Sequence, residues 1–339
     1  MSIYTYLPYI KLEISVCERD FRQFGHSLPQ ESSCRLRAIS DTGALICQAG
    51  TSLLTRLSLN KTDLLPTNMM MCAANSKEIP FLGALLLRFR GMDKTGNSRE
   101  TRQVTYITDS CQEVLLSKEA CQDLGMISQE FPQITTKTKK EVNLSTRFRN
   151  YFQRFKGSRK HDFPCHNTLD EEFQEENPIE TIVDGFKYDA SIRKWKKTQC
   201  ADKARVIELK VSNRLRYIQE LGYSRNTKKT WSKIAVLPDT GCTHCLAGEF
   251  ILKILDLEVS DLMPTNMEIY GANMEPMEIL GAAVLQYQGK DAFGRLVSTE
   301  QLTFIAKNTN RFVLSKTACQ ELGLISAKFP RIGEFSEQN

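Results

Sequence analysis

Two acids in this chain stand in the same local setting. Asp41-Thr42-Gly43 follows the apolar run Leu36-Arg37-Ala38-Ile39, and Asp239-Thr240-Gly241 follows Ile234-Ala235-Val236-Leu237. Carboxylates about 3 Å apart cannot both ionise, so such a pair holds one proton between them. The ionised member can take a proton from a water attacking a peptide carbonyl. The protonated member can donate to the developing oxyanion or leaving nitrogen. A glycine two residues after the acid lets the backbone approach closely where a Cβ would clash. The tripeptide also makes an ordinary turn, so its weight depends on its surroundings.

Those surroundings repeat. Residues 41–134 and 239–332 align without a gap at a constant offset of 198, with about 40 of the 94 pairs identical. Leu65-Pro66-Thr67-Asn68-Met69 is matched by Met263-Pro264-Thr265-Asn266-Met267, and Ala74-Asn75 by Ala272-Asn273. Leu82-Gly83-Ala84 returns as Leu280-Gly281-Ala282, and Leu116-Ser117-Lys118 as Leu314-Ser315-Lys316. Ala120-Cys121-Gln122, Leu124-Gly125 and Phe131-Pro132 recur at Ala318-Cys319-Gln320, Leu322-Gly323 and Phe329-Pro330. The likeness extends upstream, from Ile10–Ser15 to Ile207–Ser212. The chain therefore divides into a first unit at 8–134, a charged linker at 135–204 and a second unit at 205–333.

Within a unit, strands dominate. Ile10–Val16 alternates, Leu36–Ile39 is a short apolar run, and Met69–Ala73 with Ile79–Phe89 reads as two strands joined by a polar turn. A turn at Met92–Gly96 leads into a strand over Thr101–Ile107. Ser117 caps a short helix that Gly125 closes, and Ser52–Leu59 forms another. Many short strands with two small helices predict a mainly β protein of two tandem closed barrels, joined by a mixed, partly helical linker.

On these motifs each unit resembles a retropepsin, the aspartic protease segment of retroviral and long-terminal-repeat retrotransposon Gag-Pol polyproteins. The resemblance covers about three-quarters of the chain. It implies Asp41 and Asp239 as catalytic acids of an endopeptidase without metal or organic cofactor. It implies Thr42 and Thr240 as residues that hydrogen-bond across the pair, and Gly43 and Gly241 as shapers of the acid loops. The turns at Ala74-Asn75 and Ala272-Asn273 would be flaps over a polypeptide substrate. Two halves must meet, either as a pseudo-dimer within one chain or as a homodimer. Two features depart from the family. The turns contain only Gly271, with Pro276 stiffening the second, and serine (Ser117, Ser315) stands where the family's barrel-closing segment has glycine. The reading from another class is a non-catalytic remnant or domesticated binding protein of the same fold.

The linker is distinct in composition. Basic residues over 137–160 interleave with Phe148, Tyr151, Phe152 and Phe155, a pattern that could bind single-stranded nucleic acid. The plainer reading is an amphipathic helix or a solvated basic linker, with the acids at 170–176 offsetting its charge. A second basic patch surrounds Trp195, and His161, Cys165 and His166 lack a fourth metal ligand. Cys242 and Cys245 flank His244, but Cys245 matches Cys47 and Cys242 matches Ala44, so a small apolar position beside the acid is expected there. The net charge is +5, and no apolar run reaches the roughly 18 residues of a membrane helix. Eleven cysteines without a cationic leader point to reduced thiols and an intracellular, cytoplasmic protein.

Overall fold

The computed structural model describes residues 7–28, 30–73, 77–134, 183–198, 205–213, 231–271, 273 and 275–335. Of the linker, only 183–198 falls within these, so the basic-aromatic stretch at 137–160 and the His161, Cys165, His166 group lie outside the described residues.

The first unit contains β1 (Tyr9–Val16), α1 (Glu18–Arg22), β2 (Ser32–Ser40), β3 (Cys47–Gly50), α2 (Ser52–Arg56), β4 (Met71–Cys72), β5 (Glu78–Ile79), β6 (Gly83–Met92), β7 (Ser98–Thr108), β8 (Val114–Leu116) and α3 (Lys118–Asp123). In β1, Leu12, Ile14 and Val16 turn inward while the residues between them stay partly exposed, as a period of two requires. Strand β6 is nearly continuous apolar sequence and is buried along most of its length. Six strands close into a barrel in the order β1-β2-β8-β3-β7-β6, with β2/β8 and β3/β7 parallel.

The run expected as one strand from Ile79 to Phe89 is broken. Strand β5 stops at Ile79 and barrel pairing resumes at Gly83. The second unit's hairpin strand stops at the matching Met277, before Glu278 in the place of Pro80. The break therefore belongs to the hairpin leaving the barrel, and proline, lacking an N–H, only fits it. The strand expected at Met69–Ala73 is likewise only the two residues of β4, which pairs with β5 as a small hairpin outside the barrel.

The linker supplies a hairpin, β9 (Phe186–Asp189) with β10 (Lys194–Lys197). Trp195 is 3% exposed although both its neighbours are solvated lysines. The hairpin is fastened to the first unit. The Gln23 side chain donates to the Trp195 carbonyl at 2.6 Å and accepts from the Trp195 N–H at 2.9 Å. Asp184 accepts from the Thr67 hydroxyl and, at 2.7 Å, from the Asn68 N–H. Arg102 lies 4.3 Å over the Tyr188 ring.

The second unit repeats the first: β11 (Ile207–Asn213), β12 (Trp231–Pro238), β13 (Cys245–Gly248), α4 (Phe250–Ile254), β14 (Ile269–Tyr270), β15 (Pro276–Met277), β16 (Ile279–Lys290), β17 (Leu296–Ala306), β18 (Phe312–Leu314) and α5 (Lys316–Glu321). Its barrel closes as β11-β12-β18-β13-β17-β16, with β14 and β15 as the outlying hairpin. Ser117 caps α3 by accepting from the Ala120 N–H at 3.2 Å, and Ser315 caps α5 from Ala318 at 3.3 Å. Cys121 and Cys319 are fully buried on the inner faces of these helices.

The units exchange their last segments. Ile134 of the first packs on Leu209 and Gly289 of the second, where a Cβ on Gly289 would lie 2.7 Å from its Cδ1. Ile332 of the second packs on Leu12 and Gly91 of the first, and a Cβ on Gly91 would collide with it. The Gly333 and Phe335 N–H groups donate to the Leu124 and Gly125 carbonyls, each at 3.0 Å, and Ala292 N–H donates to the Ile134 carbonyl at 3.2 Å. One continuous apolar cluster runs through both units. Among the described residues no helix is long and apolar enough to cross a membrane.

Candidate active site

Each acid sits just past a barrel strand and is held by the strand beside it. The Asp41 N–H donates to the Leu116 carbonyl at 3.0 Å, and Asp239 N–H to Leu314 at 3.1 Å. The loop then folds back on its own carboxylate: Asp41 Oδ1 accepts from the Gly43 and Ala44 N–H groups at 2.9 and 3.2 Å. Asp239 Oδ1 accepts from Gly241 and Cys242 at the same two distances. The residue after each glycine is tied down through its carbonyl, Ala44 by the Lys118 N–H and Cys242 by the Lys316 N–H. Local chain direction and side-chain orientation are thus fixed by contacts within each unit.

The two loops interlock. The Thr42 N–H donates to the Thr240 hydroxyl at 3.0 Å, and the Thr240 N–H donates to the Thr42 hydroxyl at 3.1 Å. Each hydroxyl in turn donates across the boundary, Thr42 to the Pro238 carbonyl at 3.0 Å and Thr240 to the Ser40 carbonyl at 2.6 Å. Both threonines are buried. The glycines lie against the opposite acids. A Cβ on Gly43 would be 2.5 Å from Asp239 Cγ, and one on Gly241 would be 2.7 Å from Asp41 Cγ. All six expected residues of the two acid loops therefore come together.

Asp41 and Asp239 are each half-buried. Desolvation drives the Asp41 carboxyl well above the usual carboxylate range, followed by the charge of Asp239 and a hydrogen bond with it; the Gly43 and Ala44 N–H groups oppose the rise. A carboxyl that resists ionisation beside a second carboxyl is the arrangement that retains one proton for acid–base work.

The symmetry fails at one position. Cys242 donates from Sγ to Asp239 Oδ2 at 3.2 Å, whereas its counterpart Ala44 has nothing to donate. The expectation of a small apolar position is corrected here, because the thiol is a polar partner of the acid. Desolvation first, then the charges of Asp239 and Asp41, push its pKa well above the ordinary thiol value, which keeps the donor proton in place. Cys245 is buried and likewise polar in its contacts, donating to the Ser315 hydroxyl at 3.6 Å and accepting from the Ser315 N–H at 3.4 Å.

The two small hairpins face each other through Lys77, whose Nζ is 2.7 Å from Glu275 Oε2. Asn273 Nδ2 donates to the same carboxylate oxygen at 3.1 Å. The flap positions Ala74, Asn75 and Ala272 lie outside the described residues. Lys77 and Glu275 occupy matching places in the repeat, at the offset of 198, so the signal in the sequence is a pair of opposite charges at equivalent positions of the two turns. Among the described residues no cluster of histidine, cysteine and acid side chains could hold a metal. No protein-family model and no curated protein matches the chain.

Proposed function

We propose that this chain is an aspartic endopeptidase of the retropepsin type, acting on polypeptides such as the polyprotein of a long-terminal-repeat retrotransposon. The observation that carries the reading is the reciprocal Thr42–Thr240 interlock, which sets two Asp-Thr-Gly loops face to face with each glycine against the opposite acid. Asp239, holding three donors against two on Asp41, serves as the ionised base that deprotonates water. Asp41, which resists ionisation, supplies its proton to the substrate carbonyl oxygen. Asp239 then passes the proton taken from water to the departing amine, and Asp41 recovers one from a hydroxyl of the collapsing tetrahedral intermediate. The Lys77–Glu275 bridge joins the two hairpins above a bound peptide. The nine free cysteines among the described residues suit a reducing compartment.

The test is turnover of a mixed peptide library at acidic to neutral pH, with and without an inhibitor that mimics the tetrahedral intermediate. Asp41→Asn and Asp239→Asn should each abolish inhibitor-sensitive cleavage. Mixing the two variants should restore nothing, and specific activity should hold on dilution, because both acids act within one chain. Cleavage by the double variant equal to the parent's would overturn the proposal. Peptide binding without turnover by the parent would leave a non-catalytic binding protein.

A further inference from the structure

The linker hairpin leans on the first unit and encloses a cavity of about 260 Å³. This is below the roughly 300–1,000 Å³ of a pocket for a drug-sized ligand or cofactor, and it suits a single side chain. Its barrel side is formed by Leu45 and Ile46, which directly follow the acid loop, and by Met69, Met70 and Met71, which lead into β4. The hairpin side contributes Phe186 and Trp195.

The charged groups on its wall are already paired within the protein. Lys187 is 2.7 Å from Glu119, Arg102 binds both Asp20 oxygens at 2.8 and 2.9 Å, and Asp123 accepts from Gln103 at 3.0 Å. The indole N–H of Trp195 is buried behind this wall, with no hydrogen-bond partner among the described residues. With its charges satisfied, the wall offers apolar surface to an occupant, and the volume takes one large side chain. An extended peptide supplies such a side chain, and the groove starts at Leu45 and Ile46, just past the acid loop.

The second unit cannot build the same groove. At the offset of 198, Leu45, Ile46 and Met70 are replaced by Thr243, His244 and Glu268. Arg102 and Glu119, which hold the hairpin, are replaced by Glu300 and Thr317.

We propose that the groove between the 183–198 hairpin and the first barrel binds a large apolar side chain of an extended peptide. Because the first unit alone carries it, the chain selects sequence on one side of the acid pair. The selectivity rests on the endopeptidase reading, but the binding does not. It is therefore measured on the full-length Asp41→Asn, Asp239→Asn variant, which cannot turn peptide over. The probes are labelled alanine-rich peptides in which a single leucine or phenylalanine is moved along the sequence, read by fluorescence anisotropy. Binding should require the apolar residue at one position. Met70 and Leu45 are exposed enough to change without disturbing the core, and Met70→Glu or Leu45→Glu should weaken binding roughly tenfold or more. Glu268→Ala on the second unit should leave it unchanged. With Trp231→Phe in place, Trp195 is the remaining tryptophan, and its emission should shift as peptide saturates. Failure of any peptide to bind, or indifference to both glutamate substitutions, would overturn the site. Position-specific binding with no cleavage by the parent chain would sink the endopeptidase and keep the groove. Cleavage without any one-sided preference would do the reverse.

Discussion

The Thr42 N–H is received by the hydroxyl of Thr240, 198 residues away, and Thr240 returns the same bond. Four hydrogen bonds therefore cross the boundary between the acid loops where no solvent can substitute for them. Thr42→Val or Thr240→Val keeps the shape but strands a buried N–H and a carbonyl. Each should cost about 1–3 kcal/mol, read as a lower urea midpoint at unchanged slope. Serine at either position retains the hydroxyl and should recover most of the loss.

Asp41 gives the stability a definite pH dependence. The folded chain keeps a proton on this carboxyl that the unfolded chain releases near pH 4. Its contribution is full below that pH and is lost as pH climbs through the raised folded value. Asp41→Asn removes the term. The variant should melt above the parent at pH 7, with the advantage fading as pH falls toward 4. A constant difference across that range would contradict the assignment.

The Cys242 thiol adds a third donor to one acid and not to the other. Cys242→Ala should move the acidic limb of the pH–rate profile to higher pH, because the ionised form of the pair loses a partner. Cys242→Ser should hold it near its original place. The thiol itself should resist alkylation at neutral pH, since its raised pKa leaves little thiolate. The exposed Cys72 should react first.

Lys77 and Glu275 join the two hairpins through a partly exposed ion pair. Such pairs contribute about 0–1 kcal/mol to folding, so Lys77→Ala should leave the melting temperature nearly unchanged. Its effect should fall on peptide dissociation, faster in the variant, and the parent should approach the variant at high salt.

Much of this site is legible in the residues. The acid loops, their threonines and glycines, and the serine caps of α3 and α5 follow from short motifs repeated at one offset, and each is fixed by neighbours close in sequence or by the matching segment. What escaped depends on distant partners. Trp195 is the one buried residue in a run of exposed lysines, and its burial comes from Gln23 and the first barrel. Cys242 reads as a small apolar residue because Ala44 stands at the matching place, and only the carboxylate 3.2 Å away makes it polar. The break between β5 and β6 has no residue common to both units, with Pro80 in one and Glu278 in the other, and the apolar residues on either side read as one strand.

The exchange of Ile134 and Ile332 changes what counts as a part of this molecule. Each barrel is finished by a residue belonging to the other half, seated over a glycine that leaves room for it. A cut placed between residues 135 and 182 would divide the polypeptide without dividing the fold. The two fragments would stay clasped as a noncovalent heterodimer, and either one expressed by itself would carry an unfilled socket at Gly91 or Gly289. Nor can the halves swing apart on a hinge to admit a substrate, since both clasps would have to release together. On the endopeptidase reading, a peptide would reach the acids past the two hairpins that Lys77 and Glu275 join.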